Sequence, residues 1–234
     1  MKSQPKAYFT IPEWDRIPFL IHGFGSRFWQ HDDFQAHPRM RSFEPIYLRQ
    51  IHSDIIHILK EVPGETLSGD AFITGRHGLL LVIRTADCLP LLIADPEGKA
   101  VAAAHCGWRS IGLGLIGKVI RNLEEHFRCD PASLIVALGP CIEMDCYEVG
   151  EDVRKAFRGA GLAEDVFHPH PRQEGKFYLD LRMAARYQLL DAGIEDAHIS
   201  LVNLCTFCEE VLFSYRRRHR EEGRMLSFIG KNSS

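Results

Sequence analysis

Between residues 79 and 105 the chain passes through three strand-length apolar runs, 79–84, 89–94 and 100–105. In these runs both alternating positions are largely hydrophobic. A half-exposed strand alternates apolar and polar side chains, whereas one apolar on both faces calls for a sheet covered on both sides. Comparable runs at 19–24, 46–51 and 70–74 come before them, and further strands are expected at 134–138, 199–203, 211–215 and 225–229. Helices are expected where Ile116, Val119, Ile120, Leu123 and Phe127 recur at helical spacing, and at 151–159 and 181–192. For the last, Asp180 supplies an N-cap and Gly193 a C′ residue. Gly112 and Gly114 weaken the start of the first helix. The order of elements indicates mixed α/β (α+β) layers in a single domain over 1–234, and argues against a simple doubly wound βαβ fold.

The same stretch cannot span a bilayer, because Arg84, Asp87 and Pro90 interrupt it. The first ten residues lack the apolar centre of a signal peptide. Seven cysteines, an odd number in no small-scaffold pattern, favour reduced thiols and a cytoplasmic location. A net charge of −3 gives no global pull toward nucleic acid or anionic membrane. The basic run Arg216-Arg217-Arg218-His219-Arg220 is local and is followed by Glu221 and Glu222. Neither nucleic acid nor a membrane is therefore expected as a partner, and oligomeric state is unspecified.

Three clusters interrupt or end these strands: Gln50-Ile51-His52-Ser53, Thr85-Ala86-Asp87-Cys88-Leu89-Pro90, and Ala104-His105-Cys106-Gly107-Trp108-Arg109. One reading makes His52, Cys88 and His105 three ligands of a Zn²⁺ ion with an open fourth position, as in catalytic zinc sites. The intervals between them match no compact structural-zinc pattern, so spacing alone does not decide. A second reading makes Cys88 a nucleophile and His105 its base, with Asp87 or Gln50 orienting the imidazole. On residue types alone the two stand level. In a third, Cys88 is a small buried hydrophobe and the histidines are ordinary partly buried residues.

Other features carry less. Cys205-Thr206-Phe207-Cys208 is a CxxC without a second pair at ribbon spacing, read first as structural thiols. Cys106 points away from its neighbour His105 on an extended strand. Gly139-Pro140-Cys141-Ile142 and Cys146-Tyr147-Glu148-Val149-Gly150 shape a tight loop, and His168-Pro169-His170 reads as exposed loop. Arg27, Arg109, Arg216 and Arg217 have the guanidinium fork that suits phosphate.

With these clusters in order along nearly the whole chain, the sequence resembles the YfiH/laccase-domain family, whose members are also described as multicopper polyphenol oxidoreductases or purine nucleoside phosphorylases. The matching segments include His22-Gly23-Phe24, Gly69-Asp70-Ala71, Leu179-Asp180-Leu181 and Phe213-Ser214-Tyr215-Arg216-Arg217. Where the family usually reads HAGWRG, this chain carries Cys106 and Ser110 but keeps His105 and Arg109. The resemblance implies a layered α/β sandwich with mixed β-sheets and a zinc held by His52, Cys88 and His105. It also implies phosphorolysis of adenosine, inosine, guanosine and methylthioadenosine, together with adenosine deamination. In that scheme Cys88 and His105 stand at the reacting centre. Asp87 is a second-layer partner or proton shuttle, and Arg27 and Arg216 bind phosphate, with Arg217 and Arg109 in reserve. Kinship to a toxin deamidase fold with a Cys–His pair keeps a cysteine-nucleophile hydrolase or amidase as the alternative. A peptidoglycan-editing role, with a bound muropeptide, is another. Copper is the less suited metal, because a multicopper centre needs several His-x-His groups and only His168-Pro169-His170 has that form.

Overall fold

The computed structural model describes residues 6–217 and 223–232. Two mixed sheets stack at its centre. The six-stranded sheet has the order Ile199–Leu201, Ile135–Leu138, Leu89–Ala94, Val101–Cys106, Ala71–Thr74, Ile56–Leu59. Its two outermost pairs are parallel and its inner pairs antiparallel. The five-stranded sheet has the order Tyr8–Phe9, Leu20–Gly25, Met225–Lys231, Leu79–Thr85, Glu44–Tyr47, with only the last pair parallel. A small antiparallel sheet of Glu148–Gly150, Lys176–Leu179 and Phe167–Pro169 lies apart from both.

Side-chain parity explains the stack. Phe72, Leu92, Val101 and Ala103 share one core with Phe24, Leu81, Ile83 and Ile229 of the other sheet. Their neighbours Ala71, Ile73, Leu91, Ile93, Ala102 and Ala104 belong to a second core with the helical residues Ile116, Val119, Ile120 and Leu123. Leu80, Val82 and Phe228 form a third core with Trp29 and Phe34. The runs expected to be covered on both faces are so covered, and the layered mixed α/β class stands. Each buried helical Ile, Val or Leu contributes roughly 1.5–3 kcal/mol before its entropic cost.

The helix Leu115–Phe127 follows the expected periodicity, and Gly114, at φ 74°, separates it from the short helix Trp108–Gly112. In Leu181–Asp191 the Asp180 carboxylate accepts from the Met183 amide at 2.9 Å, and Gly193 lies beyond the end at φ 88°.

Several expectations need correction. Residues 211–215 form turns and not a strand. Their backbone groups are used elsewhere: Val211 O accepts from the Arg27 amide, Leu212 O from the Arg217 side chain, and the Phe213 amide donates to Met225 Sδ. The strand expected at 46–51 ends at Tyr47, because the Arg49 amide turns to Leu67 O and the Ile51 amide to Asp70. The Gln50 side chain continues the ladder in its place, exchanging hydrogen bonds with the backbone of Arg84. His168 and Pro169, expected in a loop, are in the edge strand Phe167–Pro169, though both are exposed. The strands Ile56–Leu59, Glu148–Gly150 and Lys176–Leu179 were not expected. In the basic run, Arg218, His219 and Arg220 lie outside the described residues.

One consequence of the topology governs the site. Leu79–Thr85 lies in one sheet and Leu89–Ala94 in the other, so residues 86–88 are the crossing between them. The interruption in the apolar stretch is the seam of the stack.

Candidate metal centre

Cys88 sits at that seam, one residue before the strand it enters. His105 lies on the adjacent strand, paired in register with Pro90. His52 comes from the loop after Glu44–Tyr47, in the left-handed backbone region at φ 59°. One potential ligand atom from each of His52, Cys88 and His105 falls within 4.8 Å of the other two. The three residues read from the sequence as one ligand set are thus brought together.

Asp70 holds the arrangement together, and sequence reading assigned it no role. It is fully buried at the start of Ala71–Thr74. Its carboxylate accepts from the amides of Ile51 (3.2 Å), His52 (3.0 Å) and Ser53 (2.6 Å) and from the Ser53 hydroxyl (2.7 Å). The same carboxylate meets His105 Nδ1 at 2.8 Å. The 51–53 turn thus wraps around one carboxylate, which offsets the cost of a histidine at positive φ. The bond to Nδ1 leaves Nε2 of His105 for Cys88 or a metal, the usual way a second residue fixes the ring of a ligating histidine.

Charge follows geometry. Burial opposes a charged carboxylate at Asp70, yet His105 and the donors of Ser53 outweigh it and bring its pKa down to about 2. Burial likewise opposes a charged imidazole at His105, but Cys88 and Asp70 prevail and hold it up to about 9 without metal. His52 is pushed down by burial and by the neighbouring His105.

Gly107 begins the helix that follows His105. A Cβ there would stand 2.8 Å from His52 Nδ1 and 3.2 Å from Cys88 Sγ, so only glycine leaves room for both donors.

The three donors line an open cleft of about 700 Å³. Among its lining residues are the five arginines Arg49, Arg84, Arg109, Arg216 and Arg224, and the rings of Trp108, Tyr147 and Tyr215. Arg216 lies over Tyr147 at 4.9 Å, and Arg109 over Trp108 at 4.3 Å. Asp87 is also in the lining, at φ 84°, with Oδ1 accepting from Thr206 Oγ1 and Oδ2 from the Arg216 amide, each at 2.7 Å. Its carboxylate therefore anchors two loops at the rim. Arg27 stands outside this lining, with its guanidinium 4.9 Å from the Phe213 ring. Arg217 also stands outside it and donates to the carbonyls of Thr206, Phe207, Glu209 and Leu212. Cys106 points into the helix-side core. Arg84, Arg224 and Tyr147 were given no part in the site by the sequence, since nothing in their local setting says which cleft a side chain reaches.

A family model described as multi-copper polyphenol oxidoreductase laccase matches residues 32–232. The chain is 41% identical over 186 residues to a protein of Deinococcus radiodurans named purine nucleoside phosphorylase, an alignment spanning 78% of this chain and 68% of that one. It is 36% identical over 229 residues to purine nucleoside phosphorylase YfiH of Escherichia coli, spanning 94% of this chain and 88% of that one. The crystal structure of YlmD from Geobacillus stearothermophilus superposes with a TM-score of 0.86 at 26% identity, covering 99% of this chain and 98% of that one.

Proposed function

The chain belongs to the multi-copper polyphenol oxidoreductase laccase family, and from that premise we propose that it is a zinc-dependent purine nucleoside phosphorylase that also deaminates adenosine. One observation carries the reading: a three-donor His–Cys–His set in the lining of a cleft rich in arginine and aromatic rings. Two imidazoles and a thiolate suit Zn²⁺ and leave a coordination position open. Against multicopper chemistry, the described residues bring just two histidines to the centre. The names of the relatives from Deinococcus radiodurans and Escherichia coli point to the same substrate class.

His52, Cys88 and His105 would hold the ion, and Asp70 would keep His105 oriented through Nδ1. Bound Zn²⁺ supplies Lewis acidity and lowers the pKa of a bound water from ~15.7 toward ~7. The remaining work falls to the protein. Arg216, with Arg84 and Arg224 of the same lining, provides the cationic surroundings that phosphate needs near the ribose. Trp108, Tyr147 and Tyr215 offer flat faces for a purine. Asp87 keeps the Arg216 loop in place through the Arg216 amide.

A second reading has a specific observation behind it. Cys88, His105 and Asp70 form a nucleophile, base and orienting carboxylate in sequence, with the base–carboxylate bond at 2.8 Å. His52 has no part in such a triad, and its presence favours the metal. The discriminating experiment is a nucleoside screen with and without inorganic phosphate. Free purine base and ribose 1-phosphate should appear only with phosphate, and inosine should form from adenosine in either case. Turnover of amides or esters with no release of base would install the cysteine-hydrolase reading instead.

A further inference from the structure

Away from the cleft, Cys146, Cys205 and Cys208 also bring their sulfurs within 4.8 Å of one another. We propose that these three cysteines bind a second Zn²⁺ ion, a structural one that clamps the loop carrying Arg216 and Arg217.

The sulfurs of Cys146 and Cys208 are 3.6 Å apart. Tetrahedral zinc with bonds of about 2.3 Å separates its sulfurs by about 3.8 Å, whereas a disulfide requires about 2.05 Å. The observed distance is too long for a disulfide and fits two ligands on one ion. Cys205 and Cys208 stand three residues apart in a turn, the chelating interval of zinc-binding cysteine pairs. Cys146 ends the short 3₁₀ helix Met144–Cys146 and supplies the third sulfur from a distant part of the chain. The Glu143 amide donates to Cys205 Sγ at 3.5 Å, the kind of contact that supports a ligating thiolate. The cluster is also assembled without help from the sulfurs. Arg182 bonds Glu143 Oε1, Asn203 Oδ1 and Leu204 O, and the Thr206 amide bonds Cys141 O. Cys208 is exposed, which leaves the fourth ligand position to solvent.

The clamp reaches the cleft through one residue. Thr206, next to Cys205, donates to Asp87 Oδ1, and its carbonyl accepts from Arg217. Fixing the 205–208 turn therefore fixes the far side of the loop whose Arg216 enters the cleft. This is independent of the chemistry at Cys88.

The test removes the first centre and asks what metal remains. The Cys88→Ser/His105→Ala variant, purified with reductant and equilibrated with Zn²⁺, should retain about one zinc per chain after gel filtration. Adding Cys208→Ser, an exposed and mild change, should abolish it. With Co²⁺ instead, the first-centre variant should show thiolate-to-metal charge-transfer absorption that is lost with each of Cys146→Ser, Cys205→Ser and Cys208→Ser. The inference is overturned if the first-centre variant holds no zinc, if its zinc survives all three serine substitutions, or if Cys146 and Cys208 are recovered as a disulfide from reduced protein. Should that variant not fold, the intact protein gives the same answer. It should lose one of two zinc ions on Cys208→Ser, and retention of both would overturn the proposal. None of these readings depends on nucleoside turnover, so the functional proposal can fail while this one holds.

Discussion

Asp70 accepts five hydrogen bonds, four from residues 51–53 and one from His105, so a single carboxylate sets two of the three donors. Its pKa near 2 is below the ordinary 3.8, so the associated stability is present above the ordinary value and is lost as pH falls from about 4 toward 2. Asp70→Asn should therefore lower the stability of metal-free protein at neutral pH by roughly 2 kcal/mol and flatten its acid unfolding across that window. It should also weaken zinc binding about 10- to 100-fold. Denaturant titrations at several pH values and a zinc competition assay read both; unchanged zinc affinity would make Asp70 merely a cap. At the rim, Arg216→Lys keeps the charge but loses the fork, and should raise the phosphate KM while adenosine deamination is spared. Equal loss of both activities would assign Arg216 a structural role, acting through its bonds to Glu148 and Tyr147.

At the scale of elements, the seam between the sheets decides where chemistry sits. Strands 79–85 and 89–94 were legible because both faces of each are apolar, and the polar residues between them marked the crossing. His52 and His105 were legible as costly residues at strand ends. The role of Asp70 was not, because a carboxylate opening a strand looks like any other until the 51–53 turn closes around it. Arg27 came with the resemblance as a phosphate ligand, and its guanidinium lies against Phe213, outside the cleft lining. The small sheet at 148–179 was missed because its strands are three or four residues long, too short for a period to register. Gly107 gives this scale its test. Gly107→Ala places a methyl at His52 Nδ1 at the N-cap of the helix, where a φ of −73° admits alanine. The variant should fold with near-wild-type circular dichroism yet bind zinc at least about tenfold more weakly. Normal zinc affinity would mean that His52 is not a ligand.

For the molecule as a whole, the three donors come from the seam between the sheets, from a strand and from the loop after Glu44–Tyr47, so a bound metal would be coupled to the fold. Reading the chain as one domain, we expect one cooperative thermal transition, moved upward by zinc and downward by a chelator as mass action requires. Two resolved transitions would contradict the single-domain reading. The described residues include no helix long and apolar enough to cross a membrane. The most direct test of the central claim pairs metal content with phosphate-dependent release of purine from adenosine on a single preparation. The protein is assayed as purified, after a strong chelator, and after Zn²⁺ is restored, with Cys88→Ala alongside. Activity should vanish with the metal and return with it. Cys88→Ala should neither hold zinc at the cleft nor turn over substrate, and no substrate-derived mass should remain on Cys88 of the wild type after quenching. Full activity in metal-free protein, or a covalent adduct on Cys88, would contradict the account.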